Sequence, residues 1–336
     1  MSCANKLWRI TIDTNPEDCN YHCIMCEEHS RFSHFKETLG RHRRMPVEWI
    51  DRLFEEASRL GVKEIIPSTM GEPLLYKGID RFYELSQKYG IKINLTTNGS
   101  FPGKSIDEWA RIIVPNTTDV KISINGATKE TSEKVMEGSD FDREIDNIKH
   151  LVRYRNEYYK ETGYYCRITL QLTFMSINMH ELADIVKMAA ALDVDRIKGH
   201  HLWTHFPEIE HLSMKDSPES IAQWNQYVKE AIAVQISHLK PNGKEVLLEN
   251  IVPLSVEKGK VVPEESECPF LGRELWVSAT GVISPCCAPD QLRKTLGDFG
   301  NIQNISLSEM ISSPAYQDLL ANYKSRPLCK TCNMRR

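Results

Sequence analysis

The chain has 336 residues, 41% hydrophobic and 26% charged, with a formal net charge of -4 and a pI near 6.3. That composition excludes a disordered polymer and supplies enough apolar side chains for one barrel-sized domain with a small appendage. It lacks the basic excess that nucleic-acid binding needs, and no window approaches about 18 consecutive apolar residues, so neither a nucleic-acid nor a membrane partner is expected.

The N-terminal MSCANKLWRITID has no basic segment leading into an apolar stretch of the signal-peptide kind, and a soluble cytoplasmic protein is expected. Ten cysteines in a reducing compartment point to metal binding wherever they cluster, not to disulfides. Cys3 reads as incidental, and the basic run Arg41 to Arg44 as a solvated loop.

In chain order, β-rich runs alternate with amphipathic ones. LWRITID (7–13) predicts a strand, VEWIDRLFEEASRLG (47–61) a helix, EIIPST (64–69) a strand and IDRFYELSQKYG (79–90) a helix. KINLTTN (92–98) and DVKISIN (119–125) predict strands, DREIDNIKHLVRYRNEYY (142–159) a helix, and RITLQLTF (167–174) a strand. MHELADIVKMAAALD (179–193) and DRIKGHHLW (195–203) add a helix and a sixth strand. Two of the helices run into a stop glycine, Gly61 and Gly90. Repeated strand-helix units force parallel pairing with right-handed crossovers. The expected fold class is α/β, a partial (β/α)6 parallel barrel over residues 1–240.

The pattern changes after residue 240. Residues 241–264 are polar and turn-rich and read as a connection. A hairpin, ELWVSATGVISPCC (274–287), turning at Ala279 to Gly281, and a helix, LSEMISSPAYQDLLANYKS (307–325), predict a small cysteine-rich α+β subdomain over 265–336.

The segment CNYHCIMC places Cys19, Cys23 and Cys26 directly after the first strand. Loops leaving the C-terminal ends of barrel strands build the active site. Three thiolates can bind three irons of a 4Fe-4S cube and leave the fourth open, whereas four would close it. A zinc site, or three unconnected cysteines, is the alternative. The spacing resembles the signature of the radical S-adenosylmethionine (SAM) superfamily, and the likeness runs over nearly the whole chain. The resemblance implies that the open iron chelates SAM. An electron from a flavodoxin- or ferredoxin-type donor then releases a 5′-deoxyadenosyl radical, which abstracts hydrogen from a substrate carbon.

Further segments carry the same resemblance. TMGEPLLY (69–76) is similar to the family's Gly-Gly-Glu-Pro segment, which implies that Gly71 and Glu72 hold the SAM amino group, with Met70 in place of the first glycine. LTTNG (95–99) and SING (123–126) resemble segments approaching the SAM ribose and carboxylate, adding Thr97, Asn98, Ser123 and Asn125. Asn125 stands where relatives often carry aspartate, and Met25, at a position often aromatic in relatives, is expected to pack on adenine.

Cys268, Cys286, Cys329 and Cys332 form a second constellation, with Gly281-x4-Cys286 on the hairpin and a CxxC after the last helix. It resembles the twitch or SPASM subdomain of aminoglycoside-pathway radical SAM dehydrogenases and epimerases. That likeness implies a second, auxiliary 4Fe-4S cluster, fully ligated and used in electron transfer or redox tuning. A four-cysteine zinc site is the alternative, and Cys287 competes with Cys286 as the ligand.

Cys166 or Cys287 is a candidate hydrogen-atom donor for an epimerisation. KGHHLWTHF (198–206) ends the sixth strand at the barrel mouth, where His200 and His201, with Trp203 and His205 nearby, are candidates to bind a polar substrate or shuttle a proton. Arg167, Gln171, Glu249, Arg273 and Glu274 are further polar candidates that the sequence does not place. The expected function is dehydrogenation of a sugar- or cyclitol-like natural-product intermediate. Epimerisation of a sugar or a ribosomal peptide is the alternative, and a zinc-stabilised binding module is the reading from another class. The first strand begins at residue 7, leaving no room for an N-terminal peptide-recognition domain, which favours a small-molecule substrate over a peptide.

Overall fold

The computed structural model describes residues 7–33, 43–68, 70–255, 262–332, 334 and 335. Cys3, Arg41 and Thr69 lie outside the described residues. The chain runs β1 (Arg9–Ile12), α1 (Val47–Arg59), β2 (Glu64–Ile66), α2 (Ile79–Tyr89), β3 (Lys92–Thr97), α3 (Ile106–Asn116) and β4 (Thr117–Ser123). A short α4 (Lys129–Val135) and the long α5 (Phe141–Thr162) lead to β5 (Arg167–Phe174), α6 (Leu182–Ala191), β6 (Arg196–His201) and α7 (Pro218–Ser237). No helix among the described residues is long and apolar enough to cross a membrane.

The strands form one sheet in the order β7-β6-β5-β4-β3-β2-β1-β8-β9, where β7 is Leu247–Glu249, β8 Glu274–Val277 and β9 Ile283–Ser284. Every pairing is parallel except β8 with β9. The chain therefore forms the expected α/β partial barrel with a cysteine-bearing C-terminal region. The stretch read as a connection contributes β7, a parallel edge strand on β6.

Side chains alternate across each strand, and the two faces of this sheet differ sharply. Ile10, Ile65, Ile93, Val120, Ile168 and Ile197 point to the helices and are 0% exposed. Each such burial contributes about 1.5–3 kcal/mol, so a one-residue slip of any strand is strongly disfavoured. The other face turns Arg9, Glu64, Asp119, Lys121, Arg196 and Lys198 into the barrel lumen. Parallel strands are usually apolar on both faces. This lumen is polar instead.

Three local outcomes depart from the sequence reading. Helix α3, opened by a capping box between Ser105 and Glu108, and α7, opened by one between Ser217 and Ser220, are additional elements. The expected helix over 307–325 is broken into α8 (Leu307–Ser312) and α9 (Pro314–Asn322), because Pro314 has no N–H to continue the ladder and Ser313 recaps the second piece. Arg43, expected in a solvated loop, is instead half-buried and ion-paired with Glu17 and Glu28, whereas Arg44, paired with Asp18, stays exposed in the loop as expected.

One buried ion network ties α5 to the sheet. Arg155 is 0% exposed, and it donates to Asp195 Oδ2 at 2.5 Å and to the Asp193 carbonyl at 2.9 Å. Lys240 Nζ and the Tyr165 hydroxyl reach the other Asp195 oxygen at 2.9 and 2.6 Å. Removing one member of such a buried set strands the remaining charges. Arg155→Ala is expected to cost about 3–5 kcal/mol, read as a lowered urea midpoint. Arg59→Ala, which breaks an exposed pair with Glu55 on α1, should cost less than about 1 kcal/mol by the same measurement.

Candidate active site and second cysteine centre

β1 ends at Ile12, and the following loop is folded by its own polar residues. Buried Asn15 donates to the Glu72 carbonyl at 2.9 Å, and the Asp18 carbonyl accepts from the Glu72 N–H at 2.7 Å. His29 Nε2 meets the Pro16 carbonyl at 2.8 Å, and Ser30 Oγ donates to the Ile24 carbonyl at 2.9 Å. This holds Cys19, Cys23 and Cys26, all half-buried, in one loop at the C-terminal end of the sheet. Cys19 Sγ accepts from the Tyr21 N–H at 3.5 Å and from Asn98 Nδ2 at 3.7 Å.

Burial pushes the Cys19 thiol up to about 11 and raises Cys23 and Cys26 too, and the negative charge of neighbouring groups, the other cysteines of the loop among them, raises Cys19 and Cys23 further. Three facing thiols of this kind become stable thiolates only around a cation. Three thiols carried by one loop can each take a separate iron of a polynuclear cluster.

Gly71 lies at φ +74°, and a Cβ there would stand 2.3 Å from the Asn15 carbonyl oxygen and 2.8 Å from that of Asp18. Only glycine lets the β2 loop touch the cysteine loop. Met70 is accommodated beside it, its carbonyl accepting from Ser68 Oγ. Glu72, 1% exposed, accepts from the Leu74 N–H at 3.1 Å and Thr97 Oγ1 at 2.9 Å on one oxygen, and from the Asn98 N–H at 2.7 Å on the other. Burial pushes its carboxyl up to about 7 against the pull of those donors. Thr97 and Asn98 thus meet Glu72 directly, and Asn98 Nδ2 continues to Asn20 Oδ1 at 2.8 Å.

Asn125 and Ser123 sit at the end of β4. The Asn125 carboxamide oxygen accepts from the Thr173 N–H at 2.9 Å, and its carbonyl accepts from buried Asn178 at 3.0 Å, which braces the ends of β4 and β5. Ser123 registers with Gln171 on the lumen face. Met25 packs on the edge of an apolar cluster of Tyr21, Ile24, Met136 and Met175, together with Cys19 and Cys23. The sequence reading missed Asn15, Asn20, Asn178 and Glu144. Glu144 comes from α5, and burial pushes it up to about 7 beside the Tyr21 hydroxyl and Cys23.

The two histidines of β6 point opposite ways. His200 shares the lumen face with Lys198 and registers with Thr173. It is wetted but set among protein, so desolvation, with Lys198 and Lys215, lowers its pKa. His201, expected at the site, packs instead on the helix side, 5.3 Å from the Phe174 ring and 4.7 Å from that of Trp224. Burial lowers it to about 4. Trp203 is 54% exposed, and His205 Nδ1 lies 3.8 Å from Glu27, next to the cysteine loop.

Cys166, expected as a hydrogen-atom donor, is corrected by its position. It is buried in the main core just before β5, at the opposite end of the barrel from the cysteine loop. The eight residues of β5 separate those ends by about 25 Å.

The C-terminal cysteines are gathered from three segments. Arg335, buried, donates to the carbonyls of Ser266 at 3.0 Å and Cys329 at 3.1 Å, drawing the chain end back to Cys268. Burial first, and then the neighbouring Cys286, Cys268 and Cys332, push the thiol of Cys329 up to about 11. Cys286 is half-buried, and the Cys287 thiol donates to it, lowering Cys286 to about 7; the Ala288 N–H adds a contact at 3.5 Å. Cys287 is exposed.

Replacing Cys19, Cys23 and Cys26 together by alanine is expected to lower iron after anaerobic reconstitution from about eight to about four atoms per chain. Iron and sulfide analysis reads the outcome. A wild type with about four irons, all lost in the variant, would make the C-terminal set a zinc or metal-free site.

Comparison with known proteins fits this geometry. The radical SAM superfamily model matches residues 16–189, and that of an iron-sulfur cluster-binding domain, SPASM, matches residues 268–333. Over 177 residues the chain is 28% identical to a probable GTP 3′,8-cyclase of Thermococcus kodakarensis, covering 52% of this chain and 50% of that protein. Over 211 residues it is 28% identical to an S-adenosyl-L-methionine-dependent tRNA 4-demethylwyosine synthase of Danio rerio, covering 59% and 26%. The chain thus spans half or less of these relatives' length.

Among solved structures, Streptococcus suis SuiB bound to S-adenosylmethionine superposes with a TM-score of 0.67 at 16% identity, covering 98% of this chain and 72% of that one. Native anSMEcpe with bound AdoMet and Cp18Cys peptide gives 0.66 at 16%, covering 93% and 82%. At such identities the likeness concerns the fold. The two matched domains bring SAM and 4Fe-4S clusters as cofactors. With its cysteine loop at the sheet end and a family model spanning more than half its length, the chain belongs to the radical SAM superfamily.

Proposed function

We propose that this enzyme oxidises a hydroxyl-bearing carbon of a small sugar- or cyclitol-like substrate held in the barrel lumen. The observation that carries the reading is the polar lumen face. A hydroxyl-rich molecule can exchange hydrogen bonds with these polar side chains, whereas an apolar one would only desolvate them. Cys19, Cys23 and Cys26 would hold the first cluster, and Cys268, Cys286, Cys329 and Cys332 the second. Gly71, Thr97, Asn98, Ser123 and Asn125 border the SAM position, with Met25 as its apolar wall and Glu72 as the brace behind it. When bound and reduced, the SAM-cluster pair supplies a radical that abstracts hydrogen from carbon.

The chain's own residues orient the substrate and take its proton, and the electron left on the substrate radical would pass to the second cluster. His200 faces the lumen with its pKa lowered, so it is neutral near pH 7 and able to accept a hydroxyl proton. Dehydrogenation is favoured over epimerisation because Cys166, one of the two candidate hydrogen-atom donors, lies at the wrong end of the barrel. The discriminating measurement runs the reduced, SAM-loaded enzyme in deuterated water. An oxidised product without solvent deuterium on carbon supports dehydrogenation, and an isomeric product carrying it sinks that reading.

His200→Gln is expected to lower turnover by about 10²–10³-fold with SAM binding retained. Because only neutral His200 accepts a proton, wild-type turnover should fall as pH drops through its lowered pKa. That acid limb should vanish from the pH profile of the variant.

A further inference from the structure

The lumen side chains stand in rows, because registered parallel strands bring every second residue of each to the same level. In the row nearer the N-terminal strand ends, Lys121, Thr169 and Arg196 are neighbours on β4, β5 and β6. Their polar groups serve one another and the adjoining strands. Lys121 Nζ donates to Asn94 Oδ1 at 2.5 Å, and Thr169 Oγ1 donates to Asp119 Oδ1 at 2.7 Å and accepts from Arg196 Nε at 3.2 Å. Arg196 also pairs with Asp119 and Glu249.

The next row towards the cysteine loop is Ser123, Gln171 and Lys198. Lys198 is taken by Glu249 at 2.7 Å, but its two neighbours are not taken up. The Ser123 hydroxyl forms no hydrogen bond among the described residues. The Gln171 carboxamide oxygen is shielded from water and has no partner among them. An acceptor left in that state carries the cost of its desolvation, which a ligand hydroxyl removes by donating to it.

This row leads to the cysteine loop. The last registered pair of β3 and β4 is Thr97 with Ile122, so Asn98 and Ser123, one residue further on, are neighbours at this level. Asn98 Nδ2 reaches Cys19 Sγ at 3.7 Å. Gln171 is therefore two strands from Asn98, roughly 10 Å. On its other side, His200 lies two residues beyond Lys198 on the same face of β6, roughly 7 Å further along the strand. Gln171 thus stands between the cysteine loop and His200.

We propose that Gln171 is a specificity-determining residue that reads two adjacent oxygens of the substrate. Its carboxamide oxygen accepts from one hydroxyl, and its Nε2 donates to the neighbouring oxygen. The inference deepens the functional reading above and rests on it, since it takes the substrate to lie in the lumen. It narrows the substrate class to polyols with a vicinal pair of oxygens. A molecule with a single hydroxyl leaves one end of the carboxamide unpaired and is rejected on that ground.

The test is calorimetric titration of the anaerobically reconstituted, SAM-loaded holoenzyme with scyllo-inositol and D-glucose, and with cyclohexanol as a ring bearing one hydroxyl. The wild type is expected to bind at least one polyol saturably and to prefer it to cyclohexanol. Gln171→Met, which keeps the length of the side chain but removes its donor and acceptor, should weaken that polyol by about tenfold or more and narrow the preference, with SAM affinity retained. Gln171→Asn, which withdraws the carboxamide by one methylene, should weaken it by about threefold and carries the test if the other variant does not fold. Polyol binding that both variants leave unchanged, or that falls only together with SAM affinity, overturns the role of Gln171 alone. A SAM-loaded wild type that binds neither polyol overturns the sugar or cyclitol reading beneath it.

Discussion

The Glu72 carboxyl has almost no contact with water, and its position depends on three donors drawn from two different loops. Leu74 belongs to the loop after β2, and Thr97 and Asn98 to the end of β3. The Glu72 N–H and carbonyl meanwhile hold Asp18 and Asn15 of the cysteine loop. One residue therefore locks three strand ends together, and the backbone of Gly71 makes the close approach that allows it. A buried carboxyl is costly to desolvate. Here that cost is offset by hydrogen bonds, and what results is a rigid frame around three thiols that must meet a cluster in one geometry.

Much of this was legible in the sequence because it is local. Period-two alternation found the six barrel strands, and the spacing of Cys19, Cys23 and Cys26 announced its chemistry within eight residues. What failed was non-local or a matter of parity. Asn20, Asn178 and Glu144 acquire roles only when distant segments meet, and no short pattern encodes that. His200 and His201 could have been separated from sequence, since Ile197 marks the helix face and His201 lies four residues further on the same side. Cys166 was separable as well, because the residue that opens a barrel strand lies at the end away from the C-terminal loops.

The polar lumen has a structural consequence as well as a functional one. A sheet that is apolar on one face only, with buried charges along the other, gains its hydrophobic stability from the helix side. The ion pairs of Arg9 and Arg196 satisfy the charges of the lumen face. They also pin strands that are distant in sequence, Arg9 joining β1 to β2 and β8, and Arg196 joining β6 to β4 and β7. Buried pairs of this kind add little net stability. Their effect here is to fix which strands stand beside one another.

The same strand also relates the two cysteine centres. β1 is paired on one side with β2 and on the other with β8, and the ladder continues past its end through the Asp13 N–H to the Val277 carbonyl at 2.8 Å. The first cysteine loop grows from β1, and the hairpin that carries Cys286 grows from β8. Their separation is consequently a property of a hydrogen-bonded sheet and not of the polar stretch between residues 241 and 264. Changing the distance between the centres would require breaking the β1–β8 ladder and exposing Ile10 and Leu275, both 0% exposed. A parallel ladder between two buried strands thus fixes the spacing of the two cysteine centres, whatever the polar stretch does.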